Sequence, residues 1–111
     1  MDRADILQQL KAIILSELSN EDANVYLFGS WARRQERLSS DIDVAVEFVS
    51  VGEQQRETMM RLREAVYESH IPYHVDLVEL GSADAVIVEK VKEEGILWSV
   101  EQNELQSHER L

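Results

Sequence analysis

Asp41-Ile42-Asp43-Val44-Ala45-Val46-Glu47-Phe48 is the stretch whose reading decides how this chain folds. Ile42, Val44, Val46 and Phe48 alternate with Asp41, Asp43, Ala45 and Glu47, the pattern of a strand with one apolar and one polar face. Asp41 and Asp43 share the polar face with Cα atoms about 6.5 Å apart, and Ile42 between them points into the core and fixes the strand's rotation. By itself Asp-x-Asp is common and marks a solvated strand face; aspartate is a poor strand former, and two on one face beside a glycine-serine turn point further, to chemistry.

Towards the amino terminus, Asn24-Val25-Tyr26-Leu27-Phe28 is apolar on both faces, as a central strand is, and runs straight into Gly29-Ser30. Glycine at that point lets a phosphate approach the backbone. The N–H groups of a helix start and the Ser30 hydroxyl can hold phosphate oxygens; the plainer use of the pair is a turn and a helix cap. A short helix is expected to follow through Arg37. Ile6, Leu10, Ile13, Ile14 and Leu18 form a helical stripe over residues 4–18. Towards the carboxyl terminus, Gly52 marks a turn, and Met59, Leu62 and Val66 place an amphipathic helix over residues 54–68, which Pro72 stops. Residues 73–80 read as a third strand ended by Gly81-Ser82. Residues 84–94 read as a helix with Gly95 as its stop, Ile96-Leu97-Trp98 as an edge strand or packing arm, and residues 99–111 as a polar tail that is helical or frayed. The order implies an α/β (α+β) fold, a small mixed sheet with helices on one face and the other face partly open.

Asp76 sits in the other strong strand signal, His74-Val75-Asp76-Leu77-Val78. With the two strands as neighbours, about 4.8 Å apart, a third carboxylate joins Asp41 and Asp43. Three carboxylates that close stay ionised only with a cation among them. Oxygen donors select hard cations, and Mg²⁺ takes one or two carboxylates plus waters and substrate phosphate oxygens. Two such ions, Mg²⁺ or alternatively Mn²⁺, about 4 Å apart activate an attacking oxygen and stabilise a leaving pyrophosphate.

Composition bounds the rest. A chain of 111 residues with 44% hydrophobic content is expected to form one domain over residues 1–111, with 25–80 as its motif core. It has no run of about eighteen apolar residues to cross a membrane. The first residues lack a secretory pattern, and cysteine is absent, so the expected location is cytoplasmic. With 22 acidic and 11 basic residues the net charge is −11, and the one local basic grouping is Arg33, Arg34 and Arg37. Direct nucleic-acid binding needs a larger basic footprint. A polyanionic ligand therefore has to be bridged by metal ions.

Gly29-Ser30-Trp31-Ala32-Arg33 followed by Ser40-Asp41-Ile42-Asp43-Val44-Ala45-Val46 resembles the signature of the DNA polymerase β-like nucleotidyltransferase superfamily. The nearest resemblance is to its minimal branch (MNT), antitoxin partners of HEPN-domain ribonucleases, and it spans residues 25–80. It implies that Gly29 and Ser30 hold a triphosphate, that Asp41 and Asp43 bind metal, and that Asp76 is the third acidic residue, so that Asp41, Asp43 and Asp76 are the catalytic and metal-binding set. Arg33 either contacts phosphate or anchors the loop, and Ser40 orients the strand entry. Many relatives carry glycine where this chain has Arg34, which is expected to lengthen the helix here. The resemblance further implies a Mg²⁺-dependent transfer of AMP from ATP to a hydroxyl, a tyrosine, of a HEPN toxin bound as a hetero-oligomer. Two other readings fit the same residues: a module that silences a toxin by contact alone, and a small-molecule nucleotidyltransferase acting as a homodimer.

Other features are set aside. His70 and His74 straddle Pro72 and cannot share a helix face as zinc ligands; His74 instead can flank Asp76 and tune it. Arg63 and His70 match the loose spacing of HEPN nucleases, which are all-helical, by chance. Trp31 and Trp98 are expected to pack.

Overall fold

The computed structural model describes residues 2–50 and 52–98; the polar tail read from the sequence lies outside them. Helix α1 (Arg3–Glu17) is capped by the Asp2 side chain, which accepts from the Asp5 N–H at 2.9 Å. Strands β1 (Ala23–Phe28) and β2 (Ile42–Phe48) follow, then α2 (Gln55–Tyr67), β3 (Val75–Glu79), a 3₁₀ turn (Leu80–Ser82), α3 (Ala85–Glu94) and β4 (Ile96–Trp98). The sheet order is β3-β2-β1-β4. β1 runs antiparallel to β2 and β4, and β2 runs parallel to β3, the pairing that needs a crossover and finds it in α2.

Strand alternation divides the apolar residues between two faces. Val25, Leu27, Ile42, Val44, Val46 and Leu77 pack beneath Ile6, Leu10 and Ile14 of α1 and Met59, Leu62 and Val66 of α2, with Trp98 in the same cluster. The mixed sheet is thus the expected one, with α1 and α2 covering one face. Helix α3 departs from the expectation. Val91 and Ile87 pack on Phe28, Ala45, Tyr26 and Val78, which point the other way, and α3 covers part of the second face. The small Ala45, fully buried, leaves room for the helix there. Gly95 does stop α3, though in an extended conformation (φ −67°, ψ 137°) rather than a left-handed one.

The helix expected after Gly29-Ser30 is a single turn. The Arg34 N–H reaches back to the Trp31 carbonyl and the Gln35 N–H to the Ser30 carbonyl at 2.8 Å, the paired bonds of a Schellman cap, whose C′ position is usually glycine. Arg34 occupies it with φ 61°. The residue expected to lengthen the helix is therefore where it ends. Trp31 is buried inside this turn, with its ring 5.0 Å from Tyr73 in an edge-to-face contact. Arg3 lies over the same ring, 5.9 Å from its centroid, and pairs with Glu36 at 2.9 Å. These contacts tie the turn to α1 and to the approach to β3. Both tryptophans pack, as expected.

Candidate active site

Register assembles the site. Phe28 pairs with Asp43, and Asp43 pairs with Asp76, so one row crosses three strands, and Gly29 follows immediately at its end. Gly29 has φ 78°, a backbone that glycine adopts freely. A side chain at this position would collide with the Asp43 carboxylate. Turn and carboxylate are thus in contact, which only glycine permits.

Asp76 stands one strand away from Asp43 on the same face, at the usual spacing of about 4.8 Å. Asp41 is the residue immediately before β2. The Ile42 N–H donates to the His74 carbonyl at 2.9 Å, which keeps the entry to β2 aligned with β3. His74 Nδ1 lies 3.4 Å from Asp41 Oδ2, both side chains being more than half exposed. His74 therefore pairs with Asp41, not with Asp76 as its place on the strand led us to expect, because the preceding residues of β2 and β3 come side by side.

Asp43 bears the electrostatic load. Burial first, then the Asp76 and Asp41 carboxylates, push its pKa from 3.8 up to about 6, with Lys90 of α3 opposing. An all-oxygen, mutually repelling set is the donor chemistry that suits a hard divalent cation. Among the described residues no group of three or more His, Cys, Asp or Glu is gathered tightly enough to cage a metal by itself. Such a cage is not required of Mg²⁺, which completes its shell with waters and phosphate oxygens.

Around this row, the Ser30 and Trp31 N–H groups donate to no acceptor among the described residues. Ser40 Oγ accepts from the Arg37 N–H at 2.8 Å, which shapes the entry to β2 as expected. Among the described residues Arg33 pairs with Glu94 and not with an aspartate. Its guanidinium meets both carboxylate oxygens of Glu94 at 3.0 and 3.1 Å, and its Nε donates to Gln35 Oε1, so it anchors the loop. Glu94 was not singled out from the sequence. Its Oε2 accepts from the Gly29 N–H at 2.7 Å, and together with Arg33 this holds its pKa below the ordinary value against the opposing effect of burial. Beside Asp76 a groove of about 650 Å³ runs between α2 and β3, lined by Arg63, Tyr67, Ile71, Tyr73 and His74.

Residues 8–104 match the polymerase beta nucleotidyltransferase family. A solved structure described as a minimal nucleotidyltransferase is 30% identical, with a TM-score of 0.68 over 86% of this chain and 95% of its own. A toxin–antitoxin structure with AMP-PNP is 27% identical, with a TM-score of 0.57 over 86% of this chain and 78% of the other. A complex of tri-AMPylated Shewanella oneidensis HEPN toxin with its MNT antitoxin is likewise 27% identical, with a TM-score of 0.53 over 87% and 76% of the two chains. None of the curated proteins matches.

Proposed function

This chain belongs to the polymerase β nucleotidyltransferase family, and we propose that it transfers AMP from ATP to a tyrosine hydroxyl of a HEPN-type toxin and so acts as an antitoxin. The observation that carries the proposal is the contact between Gly29 and Asp43, with Asp76 in register beside it: a phosphate-accepting turn directly against a carboxylate pair. The toxin as acceptor is supported by the neighbours described as toxin–antitoxin complexes, one with an AMPylated toxin.

In this reading Ser30, through its hydroxyl and N–H, and Trp31, through its N–H, receive phosphate oxygens. Asp41, Asp43 and Asp76 would hold two divalent ions, Mg²⁺ in the cell; when bound, these neutralise the triphosphate and the departing pyrophosphate. The acceptor oxygen attacks the α-phosphorus and forms a new P–O bond. The bond from that phosphorus to the oxygen bridging the α- and β-phosphates breaks, and pyrophosphate leaves with the electron pair. Asp76, on the edge strand, takes the hydroxyl proton. Lys90, already close enough to favour the ionised form of Asp43, adds positive charge on the α3 side.

Pyrophosphate release tests this. With purified HEPN toxin, ATP and Mg²⁺, the protein should release pyrophosphate in proportion to toxin present, and Asp43→Asn should release none while remaining folded. Release by Asp43→Asn at the wild-type rate would remove the carboxylates from the chemistry.

A further inference from the structure

We infer that Glu94 is a positioning residue for the triphosphate turn, an assignment that rests on the nucleotidyl-transfer reading above. Its carboxylate ties the end of α3 to both ends of that turn: to the Gly29 N–H at 2.7 Å and to the Arg33 guanidinium at 3.0 Å. The side chain is only 20% exposed, and Val91, one helical turn before it, is buried against the sheet. The anchor therefore stands on a seated helix, not on a loose end.

The geometry shows what the anchor controls. Gly29 already touches the Asp43 carboxylate so closely that a methyl group would collide with it, so a small shift of the turn changes the distance between phosphate donors and metal-binding carboxylates. Glu94 takes the Gly29 N–H, and the N–H groups of Ser30 and Trp31 have no acceptor among the described residues. It also engages Arg33, whose Nε is held in turn by Gln35. A carboxylate that bonds the first N–H of the turn and not the next two sets the turn's shape without filling its receiving side. A carboxylate acting instead as a phosphate mimic would compete for the ligand, and its removal would tighten binding. The two roles thus predict opposite signs.

The test is binding of Mg²⁺·AMP-PNP and of AMP, by NMR titration, to wild type, Glu94→Ala and Glu94→Gln. AMP lacks the β- and γ-phosphates that the turn receives. Glu94→Ala should weaken AMP-PNP binding about tenfold, the scale of a lost charge-assisted hydrogen bond, and leave AMP binding unchanged. Glu94→Gln, which keeps an acceptor for the Gly29 N–H and loses the ion pair, should weaken AMP-PNP about threefold, and it stands in should the alanine variant not fold. Equal or tighter AMP-PNP binding by the variants overturns the inference, as does parallel loss for both nucleotides, the signature of general loosening. Failure of wild type to bind either nucleotide would instead overturn the nucleotidyl-transfer reading on which the inference rests.

Discussion

Asp43 is held at a cost, and the cost has a measurable sign. Its folded-state pKa of about 6 lies above the 3.8 of an unperturbed aspartate, so between those values the folded chain binds more protons than the unfolded chain. The stability associated with this group is complete below pH of about 4 and is lost as pH rises through about 6. A two-unit shift corresponds to about 3 kcal/mol at full strength, and partial exposure reduces it to about 1 kcal/mol. In metal-free buffer Asp43→Asn should therefore be more stable than wild type at pH 7 by about 1 kcal/mol, with the difference vanishing near pH 4; urea denaturation at the two pH values reads it. Greater stability of wild type at pH 7 would contradict the repulsion described here. Arg34 carries a second cost. A side chain in the left-handed region is strained by about 1 kcal/mol, so Arg34→Gly should raise stability by about that amount and leave nucleotide affinity unchanged. Asp41, Asp43 and the glycine of the turn were legible from residue type and spacing. The conformation of Arg34 was not, because arginine carries no signal for a positive φ, and the turn ends there by virtue of the backbone bonds from Arg34 and Gln35.

Among the elements, β2 is the scaffold, and α3 determines how the site is finished. Alternation along Asp41–Phe48 told which residues face the core because a strand's period is local information. The face that α3 chose was hidden: an apolar stripe through Ile87 and Val91 says that a helix buries one side, not which side of the sheet receives it. The decisive residues are Phe28, Tyr26 and Ala45, and Ala45 was counted among the polar positions of its strand. For the same reason Glu94 could not be read from sequence, since its partners Gly29 and Arg33 lie 65 and 61 residues away. This seating predicts that Ala45→Leu, which overfills the gap under α3, costs about 1–3 kcal/mol and also weakens Mg²⁺·AMP-PNP binding, because the end of α3 moves with it. Thermal denaturation and titration of the same variant check both; a loss of stability with unchanged affinity would separate α3 from the site.

At the scale of the molecule, charge governs what can bind. The chain carries −11, and several of its arginines are already engaged: Arg3 with Glu36 and Arg33 with Glu94, and Arg63 with the Leu77 carbonyl. At the carboxylate row Lys90 alone is set against the charges of Asp76, Asp41 and Glu94 on Asp43, so a triphosphate there calls for a bridging cation. Mg²⁺ or Mn²⁺ should therefore raise the melting temperature of wild type, more so with AMP-PNP present, and should leave Asp43→Asn unmoved; AMP-PNP without a divalent ion should do little. A shift of equal size in the Asn variant would place the cation elsewhere. The sheet's two edges, β3 and β4, differ in what they offer a partner. β3 carries Asp76 beside an open groove, whereas Ile96 and Leu97 of β4 are exposed apolar residues.

The most direct test of nucleotidyl transfer is the intact mass of the product of the neighbouring gene after incubation with this protein, ATP and Mg²⁺. Nucleotidyl transfer adds one or more AMP units to it, a gain absent with Asp41→Asn or Asp43→Asn. An unchanged mass in a complex that nevertheless forms would contradict transfer and leave the protein a binder of its partner rather than a catalyst acting on it.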